Sequence, residues 1–99
     1  MSDAPLILVV EDEPQIRRFV AASLVEEGFR VVEAATAAAC VERLDGCKPV
    51  LIVLDLGLPD SDGIDLIREL RVWSHMPVLV LSARSAEDEK VAALDAGAD

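Results

Sequence analysis

The sequence predicts an α/β fold with a parallel sheet between layers of helices. Continuous apolar runs at Leu6–Val10, Val50–Leu54 and Val78–Leu81 read as parallel strands buried on both faces. The segments between them carry apolar residues at helical spacing. Each run also ends on oxygen-bearing side chains: Glu11 and Asp12, then Asp55, then Ser82. Alternating strands and helices require a parallel sheet with right-handed crossovers, hence a three-layer α/β sandwich.

The elements follow in order. After the first run, Glu13-Pro14 opens a helix, because proline suits the first helical turn. Ile16, Phe19, Val20, Ser23 and Leu24 recur at helical spacing, with Gly28 beyond the end, so a helix of about three or four turns is expected. Arg30–Ala34 is a second strand. Thr36 can cap a short helix that carries Cys40, Val41 and Leu44 inward before Asp45-Gly46 stops it.

Lys48-Pro49 leads into the third strand, Val50–Leu54, and the turn-rich stretch Leu56-Gly57-Leu58-Pro59-Asp60-Ser61-Asp62-Gly63 follows. Ile64, Ile67 and Leu70 mark one face of a third helix, and Trp73 is expected to pack near its end. Met76-Pro77 opens the fourth strand. Ser85 with Asp88 resembles a capping box for a fourth helix bearing Val91 and Leu94 and stopping at Gly97. The count is four βα units in one domain of 99 residues.

Composition narrows the partners. A formal net charge of −10 argues against direct contact between these residues and nucleic acid or an anionic membrane. No apolar stretch approaches the roughly 20 residues of a membrane span, and the start lacks a signal-peptide pattern, so a cytoplasmic protein is expected. Cys40 and Cys47 lack a CxxC spacing or histidine neighbours and read as reduced and structural. His75 lies alone in a polar connection, and Glu87-Asp88-Glu89-Lys90 reads as a solvated helix face. No phosphate-binding glycine loop of the P-loop or dinucleotide type is present.

Parallel strands bring their carboxyl ends to one edge of a sheet, where ligands of open α/β sheets bind. Asp55 joins a fully apolar strand to a loop containing Gly57, Pro59 and Gly63, so it is held rigidly at that edge and can serve as a metal ligand or a nucleophile. Capping the following turn is its competing role. One of Glu11 and Asp12 can be explained by the positive end of the helix that follows. Two adjacent acids beside Asp55 favour a hard divalent cation with oxygen ligands, and Mg²⁺ suits few carboxylates and a phosphate partner. Two unit charges about 4 Å apart repel by about 4 kcal/mol at an effective dielectric near 20. Ser82 can donate to an anion on Asp55 or simply precede a helix.

Val9-Val10-Glu11-Asp12-Glu13-Pro14, Leu54-Asp55-Leu56-Gly57-Leu58-Pro59-Asp60 with Asp62-Gly63, Leu81-Ser82-Ala83-Arg84, and Ala93-Leu94-Asp95-Ala96-Gly97-Ala98-Asp99 together resemble a response-regulator receiver domain of a two-component system. The second half resembles the KdpE-type regulators, whose receivers precede a winged-helix DNA-binding domain. The resemblance implies a flavodoxin-like (CheY-like) sheet in the order 2-1-3-4-5. It also implies phosphorelay signalling: Asp55 accepts a phosphoryl group from a sensor histidine kinase and thereby switches transcription through an effector domain.

On that resemblance Glu11, Asp12, Asp55 and the Gly57 carbonyl hold Mg²⁺, Ser82 is the switch hydroxyl, and Ala83 is the small residue beside the acceptor. The protein is then a switch that catalyses only its own phosphorylation and dephosphorylation. The family pattern continues beyond Asp99 into a fifth strand, a Lys-Pro pair and a fifth helix. The expectation for residues 1–99 is therefore a receiver truncated to four βα units, without its effector domain, and self-associating through the side of strand four and helix four. Two rival readings are a phosphohydrolase with an aspartyl nucleophile and a pseudo-receiver that keeps the fold but is never phosphorylated.

Overall fold

The structure, a computed structural model, describes residues 4–55, 57–60, 62–72 and 74–80. Four strands, β1 (Leu6–Val10), β2 (Arg30–Ala34), β3 (Leu51–Leu54) and β4 (Val78–Val80), alternate with three helices, α1 (Pro14–Glu26), α2 (Ala37–Gly46) and α3 (Gly63–Arg71). All neighbouring strands pair parallel, in the order β2-β1-β3-β4. This agrees with the expected architecture and with the order expected for the first four strands. The expected fourth helix, Trp73, Leu81, Ser82 and Ala83 lie outside the described residues.

Side chains alternate across the sheet, and the two parities build two halves of the core. Leu8, Val10, Ile52, Leu54 and Val78 pack with Cys40 of α2 and with Leu66, Ile67 and Leu70 of α3. On the opposite face Ile7, Val9 and Val53 meet Val20 and Leu24 of α1, together with Phe29. The central strands β1 and β3 are buried on both faces, which is why they read as unbroken apolar runs.

Helix ends match their local chemistry. Pro14 stands at the first position of α1. At its far end Gly28 adopts φ 96°, with Gly28 N donating to the Val25 carbonyl and Phe29 N to the Leu24 carbonyl. That is a Schellman arrangement, and glycine tolerates the left-handed conformation it requires. Thr36 Oγ1 accepts from Ala39 N at 3.0 Å and starts α2, while Asp62 Oδ1 accepts from Ile64 N at 2.9 Å and starts α3.

Three expectations about inward faces need correction. Phe19 is 72% exposed and Ile16 43% exposed, so neither belongs to the buried side of α1. The stripe that meets the sheet is Arg17, Val20, Ala21 and Leu24, spaced i, i+3, i+4, i+7, and Phe19 is rotated about 100° away from Val20. Val41 is likewise outward on α2, where Cys40 and Leu44 pack inward. Val50 is 54% exposed and precedes β3, which begins at Leu51. Leu66, which the Ile64-Ile67-Leu70 pattern omits, is buried on α3.

Two outcomes test this packing. Leu70→Ala should cost about 2–5 kcal/mol in urea unfolding, whereas Val72→Ala, at an exposed position just past α3, should stay within about 0.5 kcal/mol of the parent. Burial pushes the Cys40 thiol up to about 12, so in the native protein at mildly alkaline pH a thiol reagent should modify Cys47 fast and Cys40 only at the rate of unfolding.

Candidate functional site at the carboxyl edge of the sheet

The site follows from strand register. Val10 lies opposite both Ala34 of β2 and Leu54 of β3, so the carboxyl ends of the three strands are level. The ladder then runs one residue further: Glu11 N donates to the Ala34 carbonyl at 3.0 Å and Asp55 N to the Val10 carbonyl at 2.9 Å. Backbone pairing thus fixes the positions from which Glu11 and Asp55 project. Glu11, Asp12 and Asp55 each place a carboxylate oxygen within 4.8 Å of the others. The convergence expected of these three acids is present.

Burial decreases across the trio. Glu11 is 5% exposed, Asp55 is half-buried and Asp12 is exposed. Removal from water, reinforced by a hydrogen bond to Asp55 and by the charges of Asp55 and Asp12, pushes the Glu11 carboxyl from its ordinary 4.5 up to about 7; a hydrogen bond from Glu13 N opposes the shift. That bond reaches Glu11 Oε1 at 3.2 Å. A proton held between Glu11 and Asp55 relieves their repulsion, and a divalent cation can replace it.

Local bonds orient the rest. Gly57 N donates to Asp55 Oδ1 at 3.2 Å, so Asp55 also fills its competing role of capping the turn. The turn bond engages Oδ1. Gly57 is exposed on the same loop, and Leu58 anchors that loop in the core at 8% exposure. Ser82 lies outside the described residues.

Two contributors escaped the sequence reading. Arg17 donates from Nη1 to the Glu11 carbonyl at 2.9 Å and from Nε to Glu33 Oε1 at 3.2 Å, which braces the Glu11–Asp12 hinge against β2. The only signal available was a cation within the first helical turn after an acidic pair. Asp60 reaches across to α2, where its oxygens accept from Ala37 N at 2.8 Å and Ala38 N at 3.0 Å. No local pattern connects residues so far apart in the chain.

Comparison with known proteins places this geometry. Residues 7–99 match the response regulator receiver domain. The chain is 58% identical over 93 residues to the KDP operon transcriptional regulatory protein KdpE of Escherichia coli K12, covering 94% of this chain and 41% of that protein. It is 48% identical over 94 residues to transcriptional regulatory protein KdpE of Mycobacterium tuberculosis, covering 95% and 42%. The chain therefore spans about two-fifths of the length of these relatives.

Among solved structures, the Klebsiella pneumoniae RstA BeF3-activated N-terminal receiver domain superposes with TM-score 0.90 at 31% identity, covering 94% of this chain and 80% of that one. The receiver domain of the Francisella response regulator 1452 gives 0.89 at 29% identity, covering 96% and 79%. With sheet order, acidic trio and sequence pattern in agreement, the chain belongs to the response regulator receiver domain family.

Proposed function

We propose that this chain is a phosphorylation-controlled signalling module in which Asp55 accepts a phosphoryl group from a sensor histidine kinase. The observation that carries the reading is the gathering of Glu11, Asp12 and Asp55 oxygens within 4.8 Å at the ligand-binding edge of a parallel sheet. In the transfer an Asp55 carboxylate oxygen attacks phosphorus in line. The new O–P bond forms as the N–P bond of the phosphohistidine breaks, and the imidazole leaves with the bonding pair. Asp55 suits this task because it is half-buried, held by its backbone on β1 and oriented by Gly57 N.

The donor set fits Mg²⁺, since it is all oxygen, has few carboxylates and opens toward solvent at Asp12. Glu11, Asp12, Asp55 and the Gly57 carbonyl would hold the ion. When bound it supplies positive charge against the oxygens of the phosphoryl group. Ser82 would provide the hydroxyl that moves toward the phosphorylated acceptor and biases the neighbouring surface. The BeF3-activated form of the RstA receiver supports the acceptor reading.

In the whole protein the switch would act through an effector domain in the cytoplasm, and the names of the KdpE relatives support a role in regulating transcription. DNA contact would belong to that domain, because this chain carries a net charge of −10. Self-association would use the β4 side, where Leu79 is 52% exposed. A phosphohydrolase is the weaker reading: two residues past the nucleophile, where a general acid would serve, the chain has Gly57. The assembled acidic trio also favours an active acceptor over a pseudo-receiver.

Incubation with Mg²⁺ and acetyl phosphate should raise the intact mass by one phosphoryl group, and Asp55→Asn should abolish the gain. Steady release of phosphate from simple esters would instead favour the hydrolase. A second outcome concerns pH. Because Glu11 holds its proton up to about 7 in the folded protein and about 4.5 when unfolded, the stability it contributes is complete below 4.5 and is lost as pH rises through 7. Metal-free protein should therefore show a higher urea midpoint near pH 5 than near pH 8. Glu11→Gln should flatten that difference, and saturating Mg²⁺ should restore stability at the higher pH.

A further inference from the structure

The first turn of α2 is held in an unusual way. Its leading amides, those of Ala37, Ala38 and Ala39, all have side-chain partners, but only Ala39 N is satisfied locally, by Thr36 Oγ1 at 3.0 Å. Ala37 N and Ala38 N donate to the two carboxylate oxygens of Asp60, at 2.8 and 3.0 Å, from 23 and 22 residues away along the chain. Asp60 stands five positions after Asp55 in the loop that joins β3 to α3.

We propose that Asp60 is a positioning residue for the chemistry at Asp55: by clamping the acceptor loop to the first turn of α2, it sets the geometry of the acidic site and makes loop and helix respond together when the site is occupied. This rests on the reading of Asp55 as acceptor and names a further residue that acts through it.

The described residues of the loop are fastened at several points. Asp55 N is bonded to the Val10 carbonyl, Gly57 N to Asp55 Oδ1, Leu58 is buried, and Asp62 caps α3. Pro59, between Leu58 and Asp60, has its φ fixed by its ring. The buried Leu58 and the fixed φ of Pro59 are the restraints between Gly57 and Asp60 through which a displacement at the site would reach the clamp. Asp60 suits the clamp because an ionised carboxylate accepts two N–H bonds at once and complements the positive end of a helix. The same two bonds hold its carboxyl below the usual aspartate range.

The test compares the parent protein with Asp60→Ala, Asp60→Asn and Thr36→Ala. Three quantities are measured: the rate of phosphorylation by acetyl phosphate from intact mass, Mg²⁺ affinity by calorimetry, and amide hydrogen exchange at Ala37 and Ala38 with and without Mg²⁺. Asp60→Ala should slow phosphorylation and weaken Mg²⁺ binding by about tenfold, the scale for residues that orient ligating groups. Asp60→Asn, which keeps one accepting oxygen, should fall between it and the parent. Thr36→Ala removes a cap from the same helix turn without touching the loop, so it should lower stability yet leave both site measurements near the parent's.

In the parent, Mg²⁺ should slow exchange at Ala37 and Ala38, and Asp60→Ala should abolish that response. Folded Asp60→Ala with parental rate and affinity would overturn the proposal, as would a Thr36→Ala protein impaired at the site as much as Asp60→Ala. Should Asp60→Ala not fold, Asp60→Asn decides by the same measurements. Should the parent take no phosphoryl group, the acceptor reading fails, and the Mg²⁺ series still decides the role of Asp60.

Discussion

Electrostatic crowding at the end of β1 and β3 is the constraint around which this molecule is arranged. Glu11 and Asp55 stand just past the ends of neighbouring strands of one parallel sheet, their backbones pinned by bonds of 3.0 Å from Glu11 N to β2 and 2.9 Å from Asp55 N to β1. Asp12 adds a third acid. A proton on Glu11 relieves the crowding and couples the protonation of one small site to the stability of the sheet. A change in charge at Asp55 would act directly on the strands that form the core.

The surroundings convert this strained edge into an ordered one. Arg17 ties the Glu11 backbone to Glu33 on β2, Gly57 N holds one oxygen of Asp55, and Asp60 fastens the loop between β3 and α3 to α2. Each of these bonds joins the site to a different element: β2, the loop itself and α2. A rearrangement at Asp55 thus has defined routes outward, and each route consists of a few charge-assisted or backbone hydrogen bonds rather than of loosely packed side chains.

Sequence and structure diverge in an instructive way on the helices. The strands could be read almost to the residue, because burial on both faces leaves an unbroken apolar signature in β1 and β3. For α1, the face expected from helical spacing combined Ile16, Phe19 and Ser23 with Val20 and Leu24. The structure keeps Val20 and Leu24 inward, adds small Ala21 to the buried side and leaves Ile16 and Phe19 exposed. Residue size does not say which side of a helix meets the sheet; that depends on where Pro14 starts the helix and where the turn at Gly28 returns the chain.

The order of residues by itself determined the fold class, the strand ends and the identity of the acidic trio, because these are local properties of composition and period. Tertiary structure alone decided how close the three acids lie, which of them is buried enough to keep its proton, and which distant partners brace them. The reason is physical. Glu11 and Asp55 are 44 positions apart and Asp60 and Ala37 are 23 apart, the chain positions carry no trace of these pairings, and only strand register and helix placement bring the groups within bonding distance.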